Sequence, residues 1–284
     1  MLLLTVKPGD FAKEFARAKT GYVLDLSAYK FTQDFNIGID RLLFEIDASG
    51  EYVLFGPQGE ETPLQLEGLT YLCETGIVCV EDMRRYNELS FVGFDGKSLH
   101  LGNLEDDPNW GDDFFAAANG VYLFGSLGLC SLTPDEVLTP LNIRFDKFNS
   151  FGRDAYFKLD GEFFHLTLTP RKKIRSLGKH EFESCVLTQF GVYLSQKDGS
   201  VTRLSSSGKV SHYEPPVDGK FSEGSPFGAI FSLGMNKGWR LVRPNGDTHD
   251  IPFSQKQEMR NAYSCHLGML IEYEFDYRLH VLKP

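Results

Sequence analysis

Tight turns punctuate the stretch Phe190–Tyr213 so regularly that it can hardly be anything but a small antiparallel sheet. Gly191 opens the apolar run Val192-Tyr193-Leu194, whose β-branched and aromatic residues suit a pleated, buried strand. Asp198-Gly199 follows, and an Asp-Gly pair between two strand-like runs signals a hairpin, because glycine accepts the positive φ of the turn. Val201-Thr202-Arg203-Leu204 then alternates as the next strand. Ser207-Gly208 turns the chain again, and Lys209 to Tyr213 forms a further strand. Phe182 to Leu187, just before Gly191, also reads as a strand. Four antiparallel strands therefore occupy fewer than 40 residues.

The pattern recurs. With Gly191 as position zero, an Asp-Gly pair falls at the same offset after Glu88 (Asp95-Gly96) and after Arg153 (Asp160-Gly161). A polar-aliphatic pair falls twelve residues on at His100-Leu101, His165-Leu166, Arg203-Leu204, Arg240-Leu241 and His280-Val281. Looser matches start at Glu51 and Gly120. The anchors Glu51, Glu88, Gly120, Arg153, Gly191, Gly228 and Gly268 lie 32 to 40 residues apart. Seven units of four strands at that period predict an all-β chain, a seven-bladed β-propeller of four-stranded antiparallel blades, in one domain over 1–284.

Residues 1–37 stand outside the repeat. Asp10 can cap a helix over about 10–19, with Phe11 and Phe15 on one face. Leu2–Val6 and Tyr22–Leu26 are apolar runs without a unit of their own. The last unit, in turn, runs out at Pro284 after its third strand. An N-terminal strand, preferably Tyr22–Leu26, is expected to supply the missing outer strand and close the ring, since open strand edges invite aggregation.

Charge and cysteine usage narrow the function. Lys and Arg total 29 against 39 Asp and Glu, a formal charge of −10. Such a surface repels nucleic acid and anionic lipid and favours basic partners. No apolar run reaches the length of a membrane span, and Met1–Pro8 lacks the basic start of a secretory signal. The cysteines, Cys73, Cys79, Cys130, Cys185 and Cys265, are odd in number and irregularly spaced. They predict free thiols and a cytoplasmic setting. Cys265-His266 does not make a metal site, because neighbours in a strand point to opposite faces. No cofactor and no metal are expected.

Catalytic motifs are thin: the chain has no GxSxG, Walker loop, GxGxxG or HExxH. Carboxylates such as Asp82, Asp112 and Asp160 show no spacing that marks a pair, and Asp160 belongs to its turn. The most distinctive insertion is acidic. Glu105, Asp106, Asp107, Trp110, Asp112 and Asp113 combine charge with one of only two tryptophans, so this loop is the candidate partner-binding site, with Trp110 as its anchor. Arg171–Arg175 is a basic patch on an expected outer strand and reads as a solvated face. The polar residues His100, His165, Arg203, Arg240 and His280 read as structural groups of the third strands rather than a ring of cations.

The repeat resembles that of seven-bladed propellers in general, without the Trp-Asp dipeptide of WD40 repeats, the Gly-Gly pair of kelch repeats or an Asp-box. The resemblance covers about residues 38 to 284 and implies a scaffold that binds another protein through the loops of one face. The expected function is a non-enzymatic cytoplasmic propeller binding a basic protein, of which an immunity protein neutralising a bacterial toxin is one instance. The alternative is a hydrolase or lyase acting on a glycan or small ester at the central channel.

Overall fold

The structure, a computed structural model, describes the chain apart from residues 1, 33–34, 39, 48–49, 74, 82–87, 104–113, 118–119, 126–127, 133–137, 141, 152–153, 168–171, 189, 235–236, 252–258, 274–275 and 283–284. The chain divides into two compact units, Met1–Pro63 with Glu181–Pro284, and Leu64–His180.

The first unit begins with strand β1 (Leu2–Thr5), helix α1 (Phe11–Arg17) and strand β2 (Tyr22–Asp25). The first four-stranded sheet follows: β3 (Phe35–Ile37), β4 (Leu42–Asp47), β5 (Glu51–Phe55) and β6 (Glu61–Gln65). The second unit holds three such sheets. They are β7 (Leu69–Leu72), β8 (Gly76–Glu81), β9 (Glu88–Gly93) and β10 (Ser98–Asn103); β11 (Phe114–Ala117), β12 (Gly120–Gly125), β13 (Gly128–Leu132) and β14 (Leu138–Pro140); and β15 (Lys147–Phe151), β16 (Asp154–Leu159), β17 (Glu162–Thr167) and β18 (Lys173–Lys179). Back in the first unit come β19 (Ser184–Thr188), β20 (Gly191–Ser195), β21 (Val201–Leu204) and β22 (Val210–Tyr213), then β23 (Lys220–Ser225), β24 (Gly228–Ser232), β25 (Trp239–Val242) and β26 (Thr248–Ile251). The chain finishes with β27 (Met259–Cys265), β28 (Gly268–Tyr273) and β29 (Tyr277–Val281).

Among the described residues, six blades are therefore four-stranded, not seven. The last three strands form a different object, a five-stranded sheet ordered β1-β2-β29-β28-β27. Strand β2 runs antiparallel to β29, with Val23 opposite His280, and β1 adds outside it in parallel. The repeat departs from its own pattern here because two N-terminal strands take the place of a fourth strand beside β29.

The phase of the repeat also needs correcting. Gly120, Gly191, Gly228 and Gly268 each start the second strand of a sheet, but Glu51 and Glu88 start third strands, β5 and β9. His100 consequently sits in the fourth strand, β10, whereas His165, Arg203, Arg240 and His280 occupy third strands.

The β19–β20 and β23–β24 hairpins share one chemistry. The Ser225 hydroxyl accepts from Phe227 N and Gly228 N at 3.2 and 3.1 Å and donates to Gly228 O at 2.8 Å. Thr188 repeats it, accepting from Phe190 N at 3.1 Å and donating to Gly191 O at 3.0 Å. A buried hydroxyl so placed satisfies turn groups that no ladder reaches. The Tyr193 hydroxyl then donates to Ser225 O at 2.9 Å, stitching β20 to the neighbouring sheet.

Helix α1 is shorter than expected, and Asp10 does not cap it through its side chain. Glu61 of β6 does so instead: its carboxylate oxygens accept from Gly9 N at 2.9 Å and Phe11 N at 2.8 Å. A carboxylate at this end also suits the helix dipole. Phe11 and Phe15 stack at 5.7 Å, and Phe11 meets Phe55 at 4.3 Å. Phe31, Phe44 and Tyr277 extend the same aromatic core, which carries Val6, Leu24, Leu26 and Leu279 with it.

Candidate functional site

The expected site residues Glu105, Asp106, Asp107, Trp110, Asp112 and Asp113 lie outside the described residues, as do Asp82 and Arg171. The rest of the basic patch is where it was expected: Lys173, Ile174 and Arg175 are exposed on the fourth strand β18. Asp160 takes φ 50° in the β16–β17 turn, where its N–H donates to Asp146 Oδ2 at 3.0 Å, so the turn explains it. Cys73, Cys79, Cys185 and Cys265 are free thiols, Cys130 being a residue of which no side chain is described. Among the described residues no three His, Cys, Asp or Glu groups could hold a metal ion. Nor is any described helix long and apolar enough to cross a membrane.

The third-strand residues are spent on structure. Arg203 donates from Nε to Phe190 O at 2.8 Å and lies 5.9 Å from the Tyr193 ring centre. Arg240 pairs with Asp250 of the adjoining strand, with Nη2–Oδ2 at 2.9 Å. His165 is buried between Tyr156 and Arg175 in register.

A polar cluster that the spacing of residues did not reveal lies along the first strands β23 and β27, which run side by side. Glu223 of β23 accepts from Ser264 N of β27 at 3.1 Å. Burial pushes its carboxyl up to about 7, against the pull of the Ser264 hydrogen bonds. Next to it, Tyr263 donates to Glu272 Oε2 at 3.2 Å, and Asn261 Nδ2 donates to the same oxygen at 3.0 Å. Burial, then the Glu272 and Glu223 charges, raise the Tyr263 phenol to about 12. Phe35 of β3 meets the Tyr263 ring edge-on at 5.0 Å. Glu272 thus holds the Tyr263 hydroxyl, with Glu223 bonded to the next residue along β27. That arrangement suits a cationic group, through carboxylate and ring together. It also suits proton transfer near neutral pH, because Glu223 exchanges its proton there. The only sequence signal was a glutamate inside a strand run, Phe221-Ser222-Glu223-Gly224.

The raised Glu223 value makes a stability prediction. A carboxyl whose folded value lies above its unfolded 4.5 stabilises the fold fully below 4.5 and loses that contribution as pH rises through about 7. The loss is up to about 3 kcal/mol. Glu223→Gln should therefore gain stability relative to the wild type on going from pH 5 to pH 8, measured by urea denaturation at each pH. An equal pH response of the two proteins would show that Glu223 titrates normally.

A second recess of about 490 Å³ lies beside β22 and the β25–β26 turn, lined by Pro215, Pro216, Pro244, Arg243 and His212. Val217, the most exposed large apolar residue at 91%, follows the proline pair.

No protein-family model and no curated protein sequence matches the chain. Among solved structures it is similar to Hsv2 from Kluyveromyces lactis, with 10% identity and TM-score 0.55 over 84% of this chain and 88% of that one. It is also similar to virginiamycin B lyase from Staphylococcus aureus, with 11% identity and TM-score 0.50 over 92% and 99% of the two chains. The fold is a β-propeller. At such identities the likeness carries the fold and nothing about activity.

Proposed function

We propose that the chain is a single propeller domain, its ring closed by N-terminal strand β2, that binds a basic protein without catalysis in the cytoplasm. The observation that carries this reading is the charge of −10 on the chain. Charge of that size and sign accelerates encounter with a cationic partner and disfavours nucleic acid and anionic membranes. The Glu272 carboxylate on the Tyr263 hydroxyl supports it locally, since a lysine or arginine of the partner would meet a carboxylate and a ring together. An immunity protein that neutralises a toxin is one instance of the class.

The acidic loop remains the proposed anchor. With a purified cationic partner in surface-plasmon experiments, Trp110→Ala should speed dissociation roughly thirtyfold, as for an interface residue worth about 2 kcal/mol. Replacing Asp106, Asp107, Asp112 and Asp113 together with Asn should chiefly slow association, and less so at high salt. Wild-type rates for both variants at low salt would remove this loop from the interface.

One observation favours a second reading. A carboxyl with a value of about 7 on a first strand, beside a phenol, is the equipment of a general acid. Turnover of a glycan or small-ester library that Glu223→Gln abolishes while the fold persists would replace binding with catalysis.

A further inference from the structure

One face of the β23–β26 sheet packs on one face of the five-stranded sheet through an apolar layer. Ile230, Leu241 and Ile251 come from the first, and Met269 and Ile271 from the second. Two histidines interrupt it. His249 of β26 stands opposite Leu241 in register, and a Cβ placed on Gly21 would lie 3.5 Å from its ring. His280 of β29 stands between Met269 of β28 and Val23 of β2. Its side chain is 3% exposed, and Nδ1 has no hydrogen-bond partner among the described residues.

The backbone at this place is the join between the two ends of the chain. Val23, Leu24 and Asp25 pair with β29, and the pairing is flanked by Gly21 N donating to Val281 O at 3.1 Å and Leu26 N donating to Tyr277 O at 3.0 Å. We propose that this join is an acid-sensitive clasp: charging His280, and with it His249, opens the pairing of β2 with β29.

The groups that face the two imidazoles favour this direction. Arg278, on the same face of β29, and His249, from β26, both oppose a charge on His280. Arg243 opposes one on His249; Asp250 favours it but is engaged by Arg240. From β2 and β28 His280 stands opposite Val23 and Met269; Asp25 of β2 shares that face but stands opposite Arg278, which also pairs with Asp276 at 3.6 Å. A cation formed in that layer loses its water and gains no carboxylate in exchange. Burial accordingly holds the His280 ring down at about 4. With a folded value below the ordinary 6.5, the histidine's contribution is present above 6.5 and is lost as pH falls towards 4. Opening the join restores the ordinary value, so the open population grows roughly thirtyfold between pH 7.5 and pH 5.

Backbone hydrogen exchange on the full chain tests this, with rates corrected for intrinsic pH dependence. Residues 22–25 and 278–281 should lose about thirtyfold protection from pH 7.5 to pH 5, while residues 192–194 of β20 keep theirs. His280→Phe, which fills the site without titrating, should flatten the response; should it fail to fold, His280→Gln takes its place. Wild-type protection of 22–25 that does not change down to pH 5 overturns the clasp. So does an equal loss at 192–194, which would mark global unfolding, or an undiminished loss in the His280 variant.

Discussion

A chain lacking residues 1–26 should show no cooperative thermal transition by circular dichroism. The segment puts Val6, Phe11, Phe15, Ala18, Leu24 and Leu26 into the aromatic core. Its removal also uncovers Phe55, Leu279 and Val281, which are fully buried against it. Side chains of this size contribute about 1.5–3 kcal/mol each when fully buried, so the loss is on the order of 10 kcal/mol. That equals the whole stability of an ordinary domain. The deletion also bares the edge of β29, whose partner β2 is gone, and an unpaired edge directs the chain towards aggregation. A soluble product melting within a few degrees of the full chain would show that β2 and α1 are accessory.

Much of this was legible beforehand, and the reason is local. Gly191, Gly228 and Gly268 take φ of +133°, +154° and +147°, so the residue type that marked the repeat is the one its backbone demands. The phase failed at Glu88 because the Asp95-Gly96 turn was matched to the wrong hairpin. Such a turn is the same object between third and fourth strands as between second and third. Gly76 is the residue that should have been read: it starts β8, and a Cβ there would lie 2.5 Å from Val92 O of β9. The count of four-stranded blades failed at the last sheet, where β1 joins alongside the one N-terminal strand expected, β2. Glu61 as the cap of α1, and the meeting of Glu223 with Ser264, join residues 50 and 41 positions apart. No periodicity encodes contacts of that separation. Asp10 looked like a cap because short-range rules see only neighbours.

The glycines that start β24 and β28 should be nearly irreplaceable, and Gly268→Ala measures this. A Cβ at Gly268 would collide with His280 O of the adjacent strand, and one at Gly228 with Val242 O. Both neighbours are backbone atoms of a ladder, so neither can swing aside as a side chain would. The positive φ adds strain of about 1–3 kcal/mol for a residue that carries a Cβ. Gly246 separates the two effects. It has φ +87° in the turn before β26, but a Cβ there would meet nothing within 4 Å. Gly246→Ala should therefore cost about 1 kcal/mol, the conformational penalty alone. Gly268→Ala and Gly228→Ala should cost about 3 kcal/mol or more, because the strands must also part to admit the methyl group. Urea denaturation midpoints at constant m-value give the comparison. Costs for Gly268→Ala and Gly246→Ala that agree within about 0.5 kcal/mol would mean that the hairpin shifts freely. The close approach of second and third strands would then not be what holds the repeat to its glycines.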